Sequence, residues 1–85
     1  MLINQLNIDI LKVVFHNRKR YNIKEIGEDY IIIKSRRNHL FYIYLNKDIS
    51  VYLMDDNNKI LLRSFKKVLR ARELFNYMYK IGAIL

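Results

Sequence analysis

The sequence predicts an α+β domain: an N-terminal helix, an antiparallel β-meander of three to five strands, and a C-terminal helix, with both helices packed on one face of the sheet. Three observations predict it. Apolar residues recur at helical spacing at the two ends of the chain. Between Tyr21 and Arg63, short apolar runs alternate with clusters of turn-forming residues. Within those runs, aliphatic and phenolic side chains alternate, which gives a sheet two chemically different faces.

Residues 2–15 read as an amphipathic helix. Gln5, Asp9, Lys12 and His16 make a polar stripe, and Ile3, Leu6, Ile10, Val13 and Val14 lie opposite. Asn17-Arg18-Lys19-Arg20 then breaks the pattern as a basic loop. Residues 21–26 are a first, irregular strand. Gly27-Glu28-Asp29 is a turn, because glycine tolerates positive φ and Asp bonds its own backbone. Strands follow at 30–35, 40–45 and 49–54, separated by Arg36-Arg37-Asn38-His39 and Asn46-Lys47-Asp48. After Asp55-Asp56-Asn57-Asn58, residues 59–63 are either one more edge strand or the start of the last helix. That helix is expected over 65–81, with Ser64 as N-cap and Gly82 as C-terminal stop. Val68, Ala71, Phe75 and Met78 are its expected buried stripe; Lys66, Arg70, Glu73, Tyr77 and Lys80 share the other side.

The chain of 85 residues, 52% apolar, without proline and with two glycines, reads as a single domain over 1–85 with few long loops. It has no cysteine, which removes disulfides, thiolate metal sites and a cysteine nucleophile together. The N-terminal stretch has no basic leader region, and no apolar run reaches the length of a membrane span, so a soluble cytoplasmic protein is expected. A net charge of +8, from 16 Lys and Arg against 8 Asp and Glu, favours an anionic partner: nucleic acid, a nucleic-acid-bound protein complex, or an acidic protein surface.

Two surfaces are candidates for binding such a partner. Period two directs Ile31, Ile33, Phe41, Ile43, Leu45, Ile49, Val51 and Leu53 to one sheet face, the one expected under the helices. The other face carries Tyr30, Tyr42, Tyr44 and Tyr52, bordered by Arg36 and Arg37. Bases stack on aromatic rings while cations neutralise phosphates, so this face suits a single strand. The same residue types anchor protein interfaces. The second surface is the start of the last helix, where Ser64, Lys66 and Lys67 combine exposed N–H groups with two ammonium groups, and Arg70 follows one turn later. Arg18, Lys19 and Arg20 form a third basic cluster, to which Arg63, Arg70 and Arg72 add a belt; if it lies beside Lys66 and Lys67 in space, one continuous anion-binding surface results.

Helix, antiparallel strands, and a helix beginning Ser64-Phe65-Lys66-Lys67 resembles a double-stranded-RNA-binding domain in element order. The resemblance implies that Lys66 and Lys67 contact phosphates across a groove. It departs from that family in two ways: no glycine pair precedes the helix, and the helix is rich in leucine and aromatics rather than alanine.

Catalytic constellations are missing from the sequence. His16 and His39 are isolated, and no zinc spacing, phosphate-binding glycine loop or serine-nucleophile motif is present. The Asp55–Asn58 run lacks the glycine and distal glutamate of a calcium loop. The expected function is therefore non-enzymatic binding, without cofactor or metal, of nucleic acid or a nucleoprotein complex. Abundant Ile, Lys, Asn and Tyr point to an AT-rich genome, so a second expectation is a phage or mobile-element inhibitor of a host nucleic-acid-processing protein, of the anti-CRISPR type, working in the host cytoplasm. A third is a homodimer or larger homo-oligomer joined through the tyrosine face.

Overall fold

The computed structural model describes Ile8 and residues 11–16, 20–45, 48–65 and 71–85. Ile8 and residues 11–16 are helical; the latter are termed α1. A five-stranded antiparallel meander follows in the order β1 (Tyr21–Ile26), β2 (Tyr30–Ser35), β3 (Leu40–Leu45), β4 (Ile49–Asp55), β5 (Asn58–Phe65), each strand beside its sequence neighbour. Helix α2 spans Ala71–Gly82. No helix among the described residues is long and apolar enough to cross a membrane.

The strands are rich in β-branched and aromatic residues, which suit a pleated, half-buried surface. Turn chemistry sets their register. In the β2–β3 hairpin the Asn38 N–H donates to the Ser35 carbonyl at 3.0 Å and the Ser35 N–H to the His39 carbonyl at 2.9 Å. Asn38 has φ 68°, the left-handed conformation that asparagine tolerates. This is a three-residue loop ending in a left-handed residue. It pairs Ile33 with Phe41 and Ile31 with Ile43 on one face, and Ile32 with Tyr42 and Tyr30 with Tyr44 on the other. The two-residue β4–β5 turn puts Asp56 at φ 56°. The chain reverses at residues 27–29 as expected, but without a positive φ at Gly27; its N–H donates to the Tyr30 carbonyl at 2.9 Å. What Gly27 lacks in bulk leaves room for the Tyr30 ring, which a Cβ would strike.

The ladder skips Lys24 on β1 and Leu62 on β5, so both edge strands carry a bulge. The irregular first strand expected from sequence has this cause. Bulges twist an edge and interrupt its row of free hydrogen-bonding groups.

Ile31, Ile33, Phe41, Ile43, Leu45, Ile49 and Val51 are buried as expected, while Leu53 is half-buried. They form one cluster with Ile8, Leu11 and Phe15 near the N-terminus and Leu74 and Met78 of α2. Burying each such aliphatic or aromatic side chain contributes about 1.5–3 kcal/mol. Tyr21 closes the cluster. Its ring meets Phe15 and Phe41 edge-on at 5.4 and 5.9 Å, and its hydroxyl donates to the Met78 carbonyl. Burial disfavours the phenolate and pushes the Tyr21 pKa up to about 12.

The structure corrects the helices in register and extent. Val13 is 58% exposed, and Ile8, Leu11 and Phe15 form the buried stripe instead; Ile3, Leu6 and Ile10 lie outside the described residues. In α2, Leu74 and Met78 are buried, Phe75 is half-buried, and Tyr77 packs against the core rather than facing away from it. Val68 and the side chain of Ala71 are outside the described residues. Ser64 is not a helix cap. It lies in β5 opposite Ser50, and Phe65 pairs with Ile49. Pairing with β4 satisfies the backbone of this apolar stretch, and tertiary pairing overrides the capping preference of serine. Gly82 is the last residue of α2 without positive φ. A Cβ there would stand 2.6 Å from the Tyr21 hydroxyl oxygen, so close approach, not a left-handed stop, requires the glycine.

Candidate nucleic-acid interface

Alternation along β2, β3 and β4 brings Tyr30, Tyr42, Tyr44 and Tyr52 together on the face opposite the core. All four are half-exposed. Tyr42 stacks on Tyr30 and on Tyr44 with ring centroids 5.2 and 5.0 Å apart. Tyr44 meets Tyr52 edge-on at 6.0 Å. Offset and edge-on contacts of this kind are the arrangements the ring quadrupole favours. The result is one contiguous patch of phenol rings.

Two charged side chains pin the patch from opposite edge strands. Lys59 of β5 places its ammonium 4.1 Å from the Tyr42 centroid and 5.0 Å from that of Tyr44, and donates to the Tyr44 hydroxyl at 3.2 Å. That hydrogen bond raises the Lys59 pKa. On β1, Glu25 accepts a hydrogen bond from the Tyr30 hydroxyl. The bond holds the Tyr30 proton and pushes its pKa up to about 12. The Tyr42 pKa is also raised, first by desolvation and then by its hydrogen bond with Tyr44. Tyr30 and Tyr42 are therefore neutral phenols at physiological pH.

Among the described residues, most of the arginines expected to form the basic surface are engaged away from this patch. Arg37 does not border it: its guanidinium donates to the Ile84 carbonyl at 2.7 Å, just past the end of α2. There a cation complements the helix dipole. Next to it, the buried Ser35 hydroxyl donates to the Leu85 carbonyl at 2.9 Å. Arg20 lies 4.0 Å from the Tyr79 ring centroid on α2. Arg63 sits over Phe65 and Tyr77 at 5.0 and 5.4 Å. Arg36 is exposed in the β2–β3 turn. Arg18, Lys19, Lys66, Lys67 and Arg70 lie outside the described residues, as does the side chain of Arg72. With Ser64 in a strand, the residue that began the resemblance to a double-stranded-RNA-binding domain no longer marks the start of a helix.

Sequence reasoning missed two residues of the face, Lys59 and Glu25. Their signal was the period-two pattern itself: Met54 pairs with Lys59 and Ile32 with Glu25, so both belong on the tyrosine side once the registers are known. It also missed a cleft of about 220 Å³ between β5 and α2, lined by Arg63, Phe65, Glu73, Asn76, Tyr77 and Lys80. Comparison with protein-family models, curated proteins and solved structures returned no match.

Proposed function

We propose that this protein is a non-enzymatic, cytoplasmic binding protein that takes single-stranded nucleic acid, free or within a nucleoprotein complex, on the tyrosine face of its sheet. In this reading both helices cover the aliphatic face and leave the phenol rings to the partner. One observation carries it: four half-exposed tyrosines in ring contact, with a lysine ammonium over the central pair, on a chain of net charge +8. Rings offer stacking platforms that tolerate any base, and lysine neutralises phosphate. Lys59 is matched to that exchange. A fully solvated ammonium over a ring is held weakly, whereas a phosphate offers it a charge-assisted hydrogen bond. Moving to phosphate would uncover the Tyr42 ring for a base. The chemistry favours unpaired over paired bases, because a duplex hides its base faces inside the stack.

Fluorescence anisotropy with labelled oligothymidylate and oligouridylate tests the reading. Binding is expected at low salt and should weaken steeply as salt rises. Tyr42→Ala should cost one stacking contact, about 1–3 kcal/mol or roughly 5- to 150-fold in affinity. No binding of either oligonucleotide at low salt would sink the proposal. So would tighter binding to a duplex. A dimer that leaves no free tyrosine face, seen by sedimentation at working concentration, would replace the nucleic acid with a second copy of the chain.

A further inference from the structure

We infer, building on the single-strand reading, that the strand crosses the tyrosine face along one diagonal, from Lys34 to the β5 edge at Ser64, and ends in the cleft between β5 and α2. The strand registers define the corners of the face. Lys34 pairs with Leu40 at one end, followed by exposed Arg36 in the turn. Ser64 pairs with Ser50 at the opposite end, three strands away, their hydroxyls 3.3 Å apart. Carboxylates cluster at the other two corners, whereas among the described residues the Ser64 end carries a single one, the exposed Asp48 just before β4. Glu25, bonded by Tyr30, precedes Glu28 and Asp29 at the β1–β2 turn, and Asp55 and Asp56 occupy the β4–β5 turn. Phosphates are repelled from those corners and are left with the diagonal that joins the other two.

Tyr42 and the Lys59 ammonium lie at the centre of this path, and Tyr44 and Tyr52 flank its second half. Three strand spacings of about 4.8 Å and four residues of about 3.3 Å make the diagonal roughly 20 Å, the span of a few nucleotides. Arg63 and Phe65 pair with Val51 and Ile49 on the core side, so beyond Ser64 the strand rounds the β5 edge to reach the cleft, which offers the Arg63 guanidinium, the Lys80 ammonium and the Asn76 amide as phosphate partners. Among the described residues of its lining, Glu73 is the one carboxylate beside these two cations. In sequence, Lys66 and Lys67 follow Phe65 directly.

The test compares three single lysine removals over a salt series with oligothymidylate and oligouridylate. Lys34→Ala and Lys80→Ala lie at the two ends of the path. Lys24→Ala removes an exposed cation from β1, off the path. Each on-path variant should lower the slope of log affinity against log salt by about 0.7, the value for one phosphate contact on a single strand. Lys24→Ala should leave the slope unchanged. If the wild type binds and Tyr42→Ala weakens it, but Lys24→Ala lowers the slope while Lys34→Ala and Lys80→Ala do not, the diagonal is wrong and the single-strand reading stands. If the wild type binds neither oligonucleotide, both fall.

Discussion

The two faces of this sheet are built from the same strands, yet they obey different rules. On the core face, Ile31, Ile33, Phe41, Ile43 and Val51 are wholly removed from water. On the other, Tyr30, Tyr42, Tyr44 and Tyr52 alternate with them and stay partly exposed. Tyr21 shows that the residue type does not decide the matter. It lies on the core side with its hydroxyl satisfied by the Met78 carbonyl. The four others satisfy or stack on one another and on exposed charges. One face spends its apolar surface on folding, and the other leaves part of it exposed to solvent.

The sharpest way to break that contrast is to truncate one ring on each face. Phe41→Ala should cost about 3–5 kcal/mol in urea denaturation, enough to unfold most small domains. Tyr52→Ala, one strand away on the opposite face, should cost under about 1 kcal/mol. Equal losses would mean that the tyrosine face is also part of the core.

The two glycines give a second contrast. Gly82→Ala forces a methyl group against the buried Tyr21 hydroxyl and should destabilise by about 1–3 kcal/mol. Gly27→Ala meets the half-exposed Tyr30 ring, which is able to swing into solvent. Its effect on the melting temperature should be the smaller of the two, with loss of the Tyr30–Tyr42 stack visible as a change in near-ultraviolet circular dichroism.

Tyr21→Phe should cost about 0.5–1.5 kcal/mol, the net worth of one hydrogen bond. It should also change the alkaline limb of stability. The folded pKa of Tyr21, about 12, lies above its ordinary value of 10. Between those two values the unfolded chain has released the proton and the folded one has not, so stability falls as pH rises from 10 to 12. Below pH 10 the contribution is complete. Tyr21→Phe should flatten that limb in denaturation curves taken across the window.

The smallest expected effect is spectroscopic. Glu25→Gln removes the carboxylate that holds the Tyr30 proton, so phenolate absorbance should appear at lower pH than in the wild type. An unchanged titration would remove Glu25 from the face.

Most of the sheet was legible beforehand. Residues 21–26, 30–35 and 40–45 are strands with the bounds that alternation predicts, because each run is closed by turn residues with their own backbone preferences. The stretch from Asn58 to Phe65 was ambiguous, since its apolar run fits either period until β4 is beside it. The tyrosine face followed from period two alone. Lys59 and Glu25 were missed although period two reaches them, because their side of the sheet is fixed only by the turns that pair Lys59 with Met54 and Glu25 with Ile32.

By itself, then, the sequence determined an α+β chain with an aliphatic face, a phenolic face and a large excess of positive charge, since those properties are local and additive along the chain. Tertiary structure alone decided where the charge goes. Arg20 and Arg37 reach α2 and the residues after it, Arg63 covers Phe65 and Tyr77, and Lys59 crosses to the tyrosines. Long cationic side chains choose partners by proximity in space, and nothing in their spacing along the chain encodes that choice.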